Sequence, residues 1–179
     1  MTSAVLVIDV QQGLCEGEGA AFDCPATIVR INAVTHKARL AGVPVIFVQH
    51  ESSCGYVENG TTEWALVDGR PAMTNDSQAG KTTPDSFLRT DLEELLRTHG
   101  IQRLIVCGMH SEFCVDTTVR RALSLGFPVV LVADGHTSAG NTAISAAQVI
   151  AHENATLTNI SSFGPRAVTV ASAQVAFAV

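Results

Sequence analysis

Three residue types in this chain sit where chemistry could be done: a thiol, a carboxylate and an amine. Cys114 ends the stretch Cys107-Gly-Met-His-Ser-Glu-Phe-Cys114, which follows the apolar run Leu104-Ile105-Val106 and opens a helical pattern reaching Leu125. This predicts a strand ending near Cys107, a helix starting near Cys114, and a turn between them. A thiol at a helix start meets the positive end of the helix dipole and unpaired backbone N–H groups, which favour thiolate. The same N–H groups can hold the oxygen of a tetrahedral intermediate. Two readings of Cys114 stand at this point: a nucleophile, or a small buried hydrophobe, the commonest fate of a free cysteine.

A nucleophilic cysteine needs a base for its proton and often a cation to stabilise the thiolate. Asp9 closes the apolar run Ala4-Val-Leu-Val-Ile8 and is either that base or a turn-former. Lys81 stands in Gly80-Lys-Thr-Thr-Pro-Asp-Ser-Phe87 and is either that cation or an ordinary solvated lysine.

The elements that must position these residues alternate. Ala4–Asp9, Val43–Val48, Leu104–Cys107 and Phe127–Val132 read as buried strands. Residues 25–41, 90–97, 112–125 and 142–153 read as helices, the first and third each followed by glycine (Gly42, Gly126). A last strand is expected somewhere in 155–179. The alternation predicts a three-layer α/β/α domain over residues 1–179, with a mainly parallel, Rossmann-like sheet of about six strands. Ligands of such sheets bind at the carboxyl ends of strands, near the point where strand order reverses. Asp9, Cys114 and Asp134 each follow a strand, so all three are expected along that edge. Residues 51–80 lack periodicity and are rich in Gly, Thr, Ser, Asn and Asp, and a loop that long in a compact domain is usually functional.

The chain has 179 residues, enough for one substantial core. Apolar residues make up 46% and charged residues 16%, so excess apolar surface is expected at a subunit interface, in a homo-oligomer. The net charge of −6, without a Lys/Arg cluster, argues against nucleic-acid and anionic-membrane partners. Cys15, Cys24, Cys54, Cys107 and Cys114 form no C-x-x-C pair and no zinc spacing. No signal-peptide pattern follows Met1, and no apolar run approaches a membrane span, so a cytoplasmic location is expected.

Together these segments resemble the isochorismatase-like cysteine hydrolases, a superfamily that includes nicotinamidases and N-carbamoylsarcosine amidase. The matching pieces are Val7-Ile-Asp9-Val-Gln11, Lys81 with Asp85-Ser-Phe87 and Thr90-Asp-Leu92, and Gly108 with Cys114-Val-Asp116, Thr118, Arg121 and Ala122. The match continues through Gly126-Phe-Pro-Val-Val130 to Asp134. The resemblance implies a catalytic triad of Asp9, Lys81 and Cys114, with a cis peptide at Met109–His110. It also implies an oxyanion hole from the backbone N–H groups of His110 and Cys114. It implies a small-molecule substrate and a dimer or tetramer.

Metal-dependent nicotinamidases carry Asp-x-His and a further His after the second strand, where this chain reads Gln49-His50-Glu51-Ser52-Ser53-Cys54. No metal and no cofactor are therefore expected, and His50 is expected to line the pocket. Trp64 and Tyr56 in the irregular loop, and Phe113 beside the nucleophile, are further candidates for substrate contact. His36, His99, His136 and His152 are expected at the surface or as caps. The function these readings favour is metal-independent hydrolysis of a small amide-type C–N bond through a covalent Cys114 intermediate. Hydrolysis of an isochorismate-type vinyl ether, or a thiol redox or binding role without hydrolysis, are the alternatives.

Overall fold

The computed structural model describes residues 1–17, 19–67, 73 and 75–177. Part of the irregular stretch 51–80, namely 68–72 and 74, lies outside the described residues. In chain order the elements are β1 (Ser3–Ile8), α1 (Gln12–Cys15), α2 (Cys24–Leu40), β2 (Val45–His50), β3 (Ser77–Lys81), α3 (Leu92–Thr98) and β4 (Arg103–Met109). A π-helical turn (Ser111–Val115) runs straight into α4 (Asp116–Ser124), followed by β5 (Val129–Thr137), α5 (Ala146–Asn159), β6 (Ala167–Val170) and a 3₁₀ turn (Ser172–Gln174).

All six strands pair in parallel in the order β3-β2-β1-β4-β5-β6. The order reverses between β1 and β4, where chain crossovers leave in opposite directions and open a crevice at the strand ends. The period-2 alternation of strand side chains splits the core in two. Ala4, Leu6 and Ile8 face a cluster with Leu92 and Leu96 of α3, Val119 and Leu123 of α4, and Leu157 of α5. Val5 and Val7 face the other layer, with Ile31, Val34 and Ala38 of α2 and Val175. Two apolar faces on one sheet explain why its central strands read as unbroken hydrophobic runs.

Four expectations about the elements need correction. The Lys81 segment is an edge strand, β3, whose Ser-Gln-Ala-Gly-Lys sequence carries no apolar run. The last strand is the short β6, and α5 starts at Ala146 behind a capping box of Ser145 and Gln148 rather than at residue 142. Strand β5 runs on to Thr137 through a register shift against β4, so Asp134 lies within it and not past its end. Its carboxylate instead accepts from the backbone N–H (2.7 Å) and hydroxyl (2.9 Å) of Ser172, holding the C-terminal turn. His136 is likewise no surface residue. It is buried, with Nδ1 2.8 Å from Ser111 Oγ and Nε2 3.2 Å from Asn154 Oδ1.

Candidate active site

Each predicted catalytic side chain is delivered by the end of a strand. Asp9 follows β1 with φ at +51°, a left-handed backbone rare outside glycine, and its N–H is held by Val48 O at 2.8 Å. Lys81 is the last residue of edge strand β3, and His50 is its paired neighbour at the end of β2. Cys114 follows β4 inside the π-helical turn. Gly108 makes this junction possible: its φ is +127°, and a Cβ there would run into the Ile8 carbonyl of β1. One residue further on, the Met109–His110 peptide bond is cis.

Lys81 is the hub. Its side chain is fully buried, and its ammonium donates to Asp9 Oδ2 (2.8 Å), Cys114 Sγ (3.1 Å) and Thr83 O (3.2 Å), with His50 Nδ1 at 3.4 Å. An ammonium has three donors, and these contacts engage all of them. A buried carboxylate and a buried ammonium are tolerable only as such a pair. The Asp9 Oδ1 atom is buried and makes no hydrogen bond within the chain.

Further contacts lock the strand ends together. Gln11 is fully buried and bridges β1 to its neighbours: Nε2 donates to His50 O (3.0 Å) and Trp64 O (2.9 Å), and Oε1 accepts from His50 N (2.8 Å). Thr118 of α4 takes the N–H of Ser86 (3.2 Å) and meets its hydroxyl (2.8 Å), tying the segment after Lys81 to the helix after Cys114. Gln11 and Thr118 belong to the sequence motifs, but only the fold reveals what they do.

Above Lys81 lies a cavity of about 400 Å³ lined by Asp9, Leu14, His50, Ser52, Cys54, Tyr56, Val57, His110, Phe113 and Cys114. Phe113 and Tyr56 form its exposed aromatic rim. The structure thus brings Asp9, His50, His110, Phe113 and Cys114 into one cavity, with Lys81 bonded to two of its lining residues. Trp64 does not join them. It lies off the cavity, its carbonyl pinned by Gln11 and by Gln49 Nε2 (3.1 Å), and Tyr56 occupies the aromatic position instead.

The electrostatics correct one expectation. Burial first, and the Asp9 carboxylate second, push the Cys114 thiol up to about 12, and Lys81 offsets only part of this. The Cys114 side chain is largely shielded from water within the π turn rather than standing at an open helix start, so desolvation outweighs the stabilisation expected from the helix dipole. Burial also holds His50 and His110 below the ordinary histidine value, with Lys81 adding to the effect at His50. Both rings are therefore neutral near pH 7.

The parallel sheet with its strand-end crevice defines the class, the three-layer isochorismatase-like fold. Residues 3–162 match the Isochorismatase domain, and the chain belongs to the isochorismatase family of hydrolases. It is 36% identical over 134 residues to streptothricin hydrolase of Streptomyces noursei, an alignment covering 74% of this chain and 49% of that protein. The chain thus spans about half the length of that relative. It is 28% identical over 175 residues to the ureidoacrylate amidohydrolase RutB of Stutzerimonas stutzeri, covering 77% of this chain and 71% of that one. A crystal structure of an isochorismatase family protein superposes with a TM-score of 0.86 at 30% identity, covering 94% of this chain and 98% of the other. Among the described residues no helix is long and apolar enough to cross a membrane.

Proposed function

We propose that the protein is a metal-independent cysteine hydrolase that opens a small amide-type C–N bond through a covalent intermediate on Cys114. The observation that carries this reading is the buried Lys81 ammonium, 2.8 Å from Asp9 and 3.1 Å from Cys114 beneath a substrate-sized cavity. The names of two relatives agree with it, one a hydrolase of streptothricin and one an amidohydrolase of ureidoacrylate.

With the thiol pushed up to about 12, Cys114 rests as a neutral thiol, with Asp9 within 4.8 Å as its proton acceptor. Asp9 takes the proton as Sγ attacks the carbonyl carbon, so no free thiolate has to persist. The carbonyl oxygen gains its charge facing the backbone N–H groups of His110 and Cys114, which form the oxyanion hole. Asp9 returns the proton to the leaving nitrogen as the C–N bond breaks, and a thioester remains on Cys114. Water then attacks the thioester, giving its proton to Asp9. The acid leaves, and the proton passes back to sulfur. Lys81, in contact with both, offsets the negative charge as it moves between Asp9 and Sγ. His50 and Phe113 contact the substrate from the cavity wall.

Asp9, His50 and Cys114 offer an oxygen, a nitrogen and a sulfur within 4.8 Å of one another, a donor set that a metal ion can use. The Lys81 ammonium already contacts one atom of each, so a metal would have to displace a paired cation. Turnover should therefore survive exhaustive chelation. The homo-oligomeric assembly, a dimer or tetramer, belongs to the same proposal and is checked by light scattering in solution.

The test is a panel of primary amides, ureido acids, hydroxamates and isochorismate, run on wild type and Cys114→Ala with and without EDTA. Ammonia or amine release that falls about a thousandfold or more in the alanine variant is expected. Pyruvate release that persists without the thiol replaces the proposal with vinyl-ether hydrolysis. No turnover, combined with reversible peroxide oxidation of Cys114, replaces it with a thiol redox role.

A further inference from the structure

The cavity walls carry a charge pattern that the catalytic reading does not use. Among the described lining residues there is no lysine or arginine. The cation seen beneath them among the described residues, Lys81, has its three donors engaged by Asp9, Cys114 and Thr83. The two histidines on the wall are neutral, because burial holds both below their ordinary value. Among the described lining residues a substrate anion therefore meets no cation, and the Lys81 charge below is already paired with Asp9 at 2.8 Å.

Negative charge is close by instead. Asp9 is itself a lining residue, and its Oδ1 is buried without a hydrogen bond in the chain. Behind the wall, Glu51 acts on His50, Glu112 on His110 and Glu63 on Tyr56, each through its charge. The oxyanion hole proposed above accepts one negative oxygen, and the reacting carbonyl supplies it. A carboxylate elsewhere on the substrate would enter a partly desolvated space whose cation is already paired with Asp9, losing hydration without gaining a counter-charge. The apolar and aromatic groups that complete the wall, Leu14, Val57, Tyr56 and Phe113, suit an uncharged body, and a ring face also attracts an ammonium.

We infer that this cavity selects amides whose non-reacting part is uncharged or cationic, and rejects those bearing a carboxylate. The inference rests on the amide reading for its substrate class, but the charge selection belongs to the cavity and can be measured without turnover.

The first arm uses two thiol reagents of similar shape and opposite charge, trimethylammonium-ethyl and sulfonato-ethyl methanethiosulfonate. Their rates at Cys114 are followed by peptide mapping, so that Cys15 and Cys54 are counted separately, and divided by their rates with 2-mercaptoethanol. A corrected cation-to-anion ratio of about tenfold or more is expected. A ratio of one or below, or no reaction of the cationic reagent, overturns the inference. The second arm compares butanamide, β-alaninamide and succinamate, which differ at one end only. Both of the first two should exceed succinamate about tenfold or more in kcat/KM. Succinamate as the best of the three would overturn the charge selection while leaving amide hydrolysis intact. If none turns over but Cys114 labels with the expected ratio, the amide reading fails and the charge selection stands.

Discussion

The two walls of the cavity are held in different ways. The inner wall consists of strand ends, with Asp9, Lys81 and Cys114 packed beneath the surface and tied by long-range bonds through Gln11 and Thr118. The outer wall is the turn around Ser52–Val57, held mainly by its own hydrogen bonds. Ser52 Oγ donates to Tyr56 O (2.5 Å) and Cys54 O (3.1 Å), and the Tyr56 hydroxyl reaches the Gly13 carbonyl. One wall is part of the core and its geometry is inseparable from folding. The other is a surface loop whose side chains can change without disturbing the sheet, which is the usual division between chemistry and substrate choice.

Lys81→Met is the sharpest way to break the inner wall. It leaves the Asp9 carboxylate buried without its partner, which typically costs about 3–5 kcal/mol. Denaturant unfolding should show a loss of that order, and turnover should disappear. Adding Asp9→Asn removes the stranded charge, so the double variant should recover most of the stability and none of the activity. A Lys81→Met protein as stable as wild type would mean that the pair does not hold this wall.

Legibility in the sequence follows the same division. Residues that must be apolar to fill the core, or that close a strand at its carboxyl end, leave a pattern. Hence β1, β2, β4 and β5 are readable, and so are Asp9 and Cys114. The edge strand β3 is not, because Ser77-Gln-Ala-Gly-Lys81 pairs through its backbone on one side and needs no hydrophobic run. The π turn is hidden because residues 111–124 carry ordinary helical periodicity, and a change in hydrogen-bond register alters no side-chain type. The thiol's environment misled for a related reason: the sequence shows that a helix begins nearby, but not how deeply the turn is buried. Trp64 and Tyr56 are equally aromatic and equally loop-bound, so only the fold tells which one faces the cavity.

A second prediction probes the support behind the inner wall. Glu153 of α5 is buried against Asp116, the residue that begins α4 just after the π turn that carries Cys114. Burial, then the Asp116 charge and a shared hydrogen bond, push its carboxyl from 4.5 up to about 7, against a smaller pull from Arg120. The folded state thus binds this proton more tightly than the unfolded chain. The stability it contributes is complete below pH 4.5 and is lost as pH rises to about 7. Glu153→Gln should flatten that decline, raising stability at mildly alkaline pH by roughly 1–3 kcal/mol relative to wild type, with little gain in acid. Denaturant curves across this pH range check the sign. A variant with an unchanged pH slope would show that the two carboxylates do not share a proton, and would confine the inner wall's electrostatics to Asp9, Lys81 and Cys114.

The smallest effect is expected at the outer wall. Tyr56→Phe keeps the ring at the cavity rim and removes only the hydroxyl that ties the Ser52–Val57 turn to Gly13 of α1. The site is exposed, so little stability is at stake, within about 0.5 kcal/mol. The tie joins a lining residue of the cavity to α1 and touches none of Asp9, Lys81 and Cys114, so it should act on substrate binding and not on bond cleavage. For a substrate found by the amide panel, KM should rise about two- to fivefold with kcat held, a loss of roughly 0.4–1 kcal/mol of binding shared by ground state and transition state. A fall in kcat of similar size, with KM unchanged, would mean that the turn communicates with Cys114 and that the two walls act as one unit. In that case the loop's sequence would bear on chemistry as well as on substrate choice, and variants at Ser52 should reproduce the same loss.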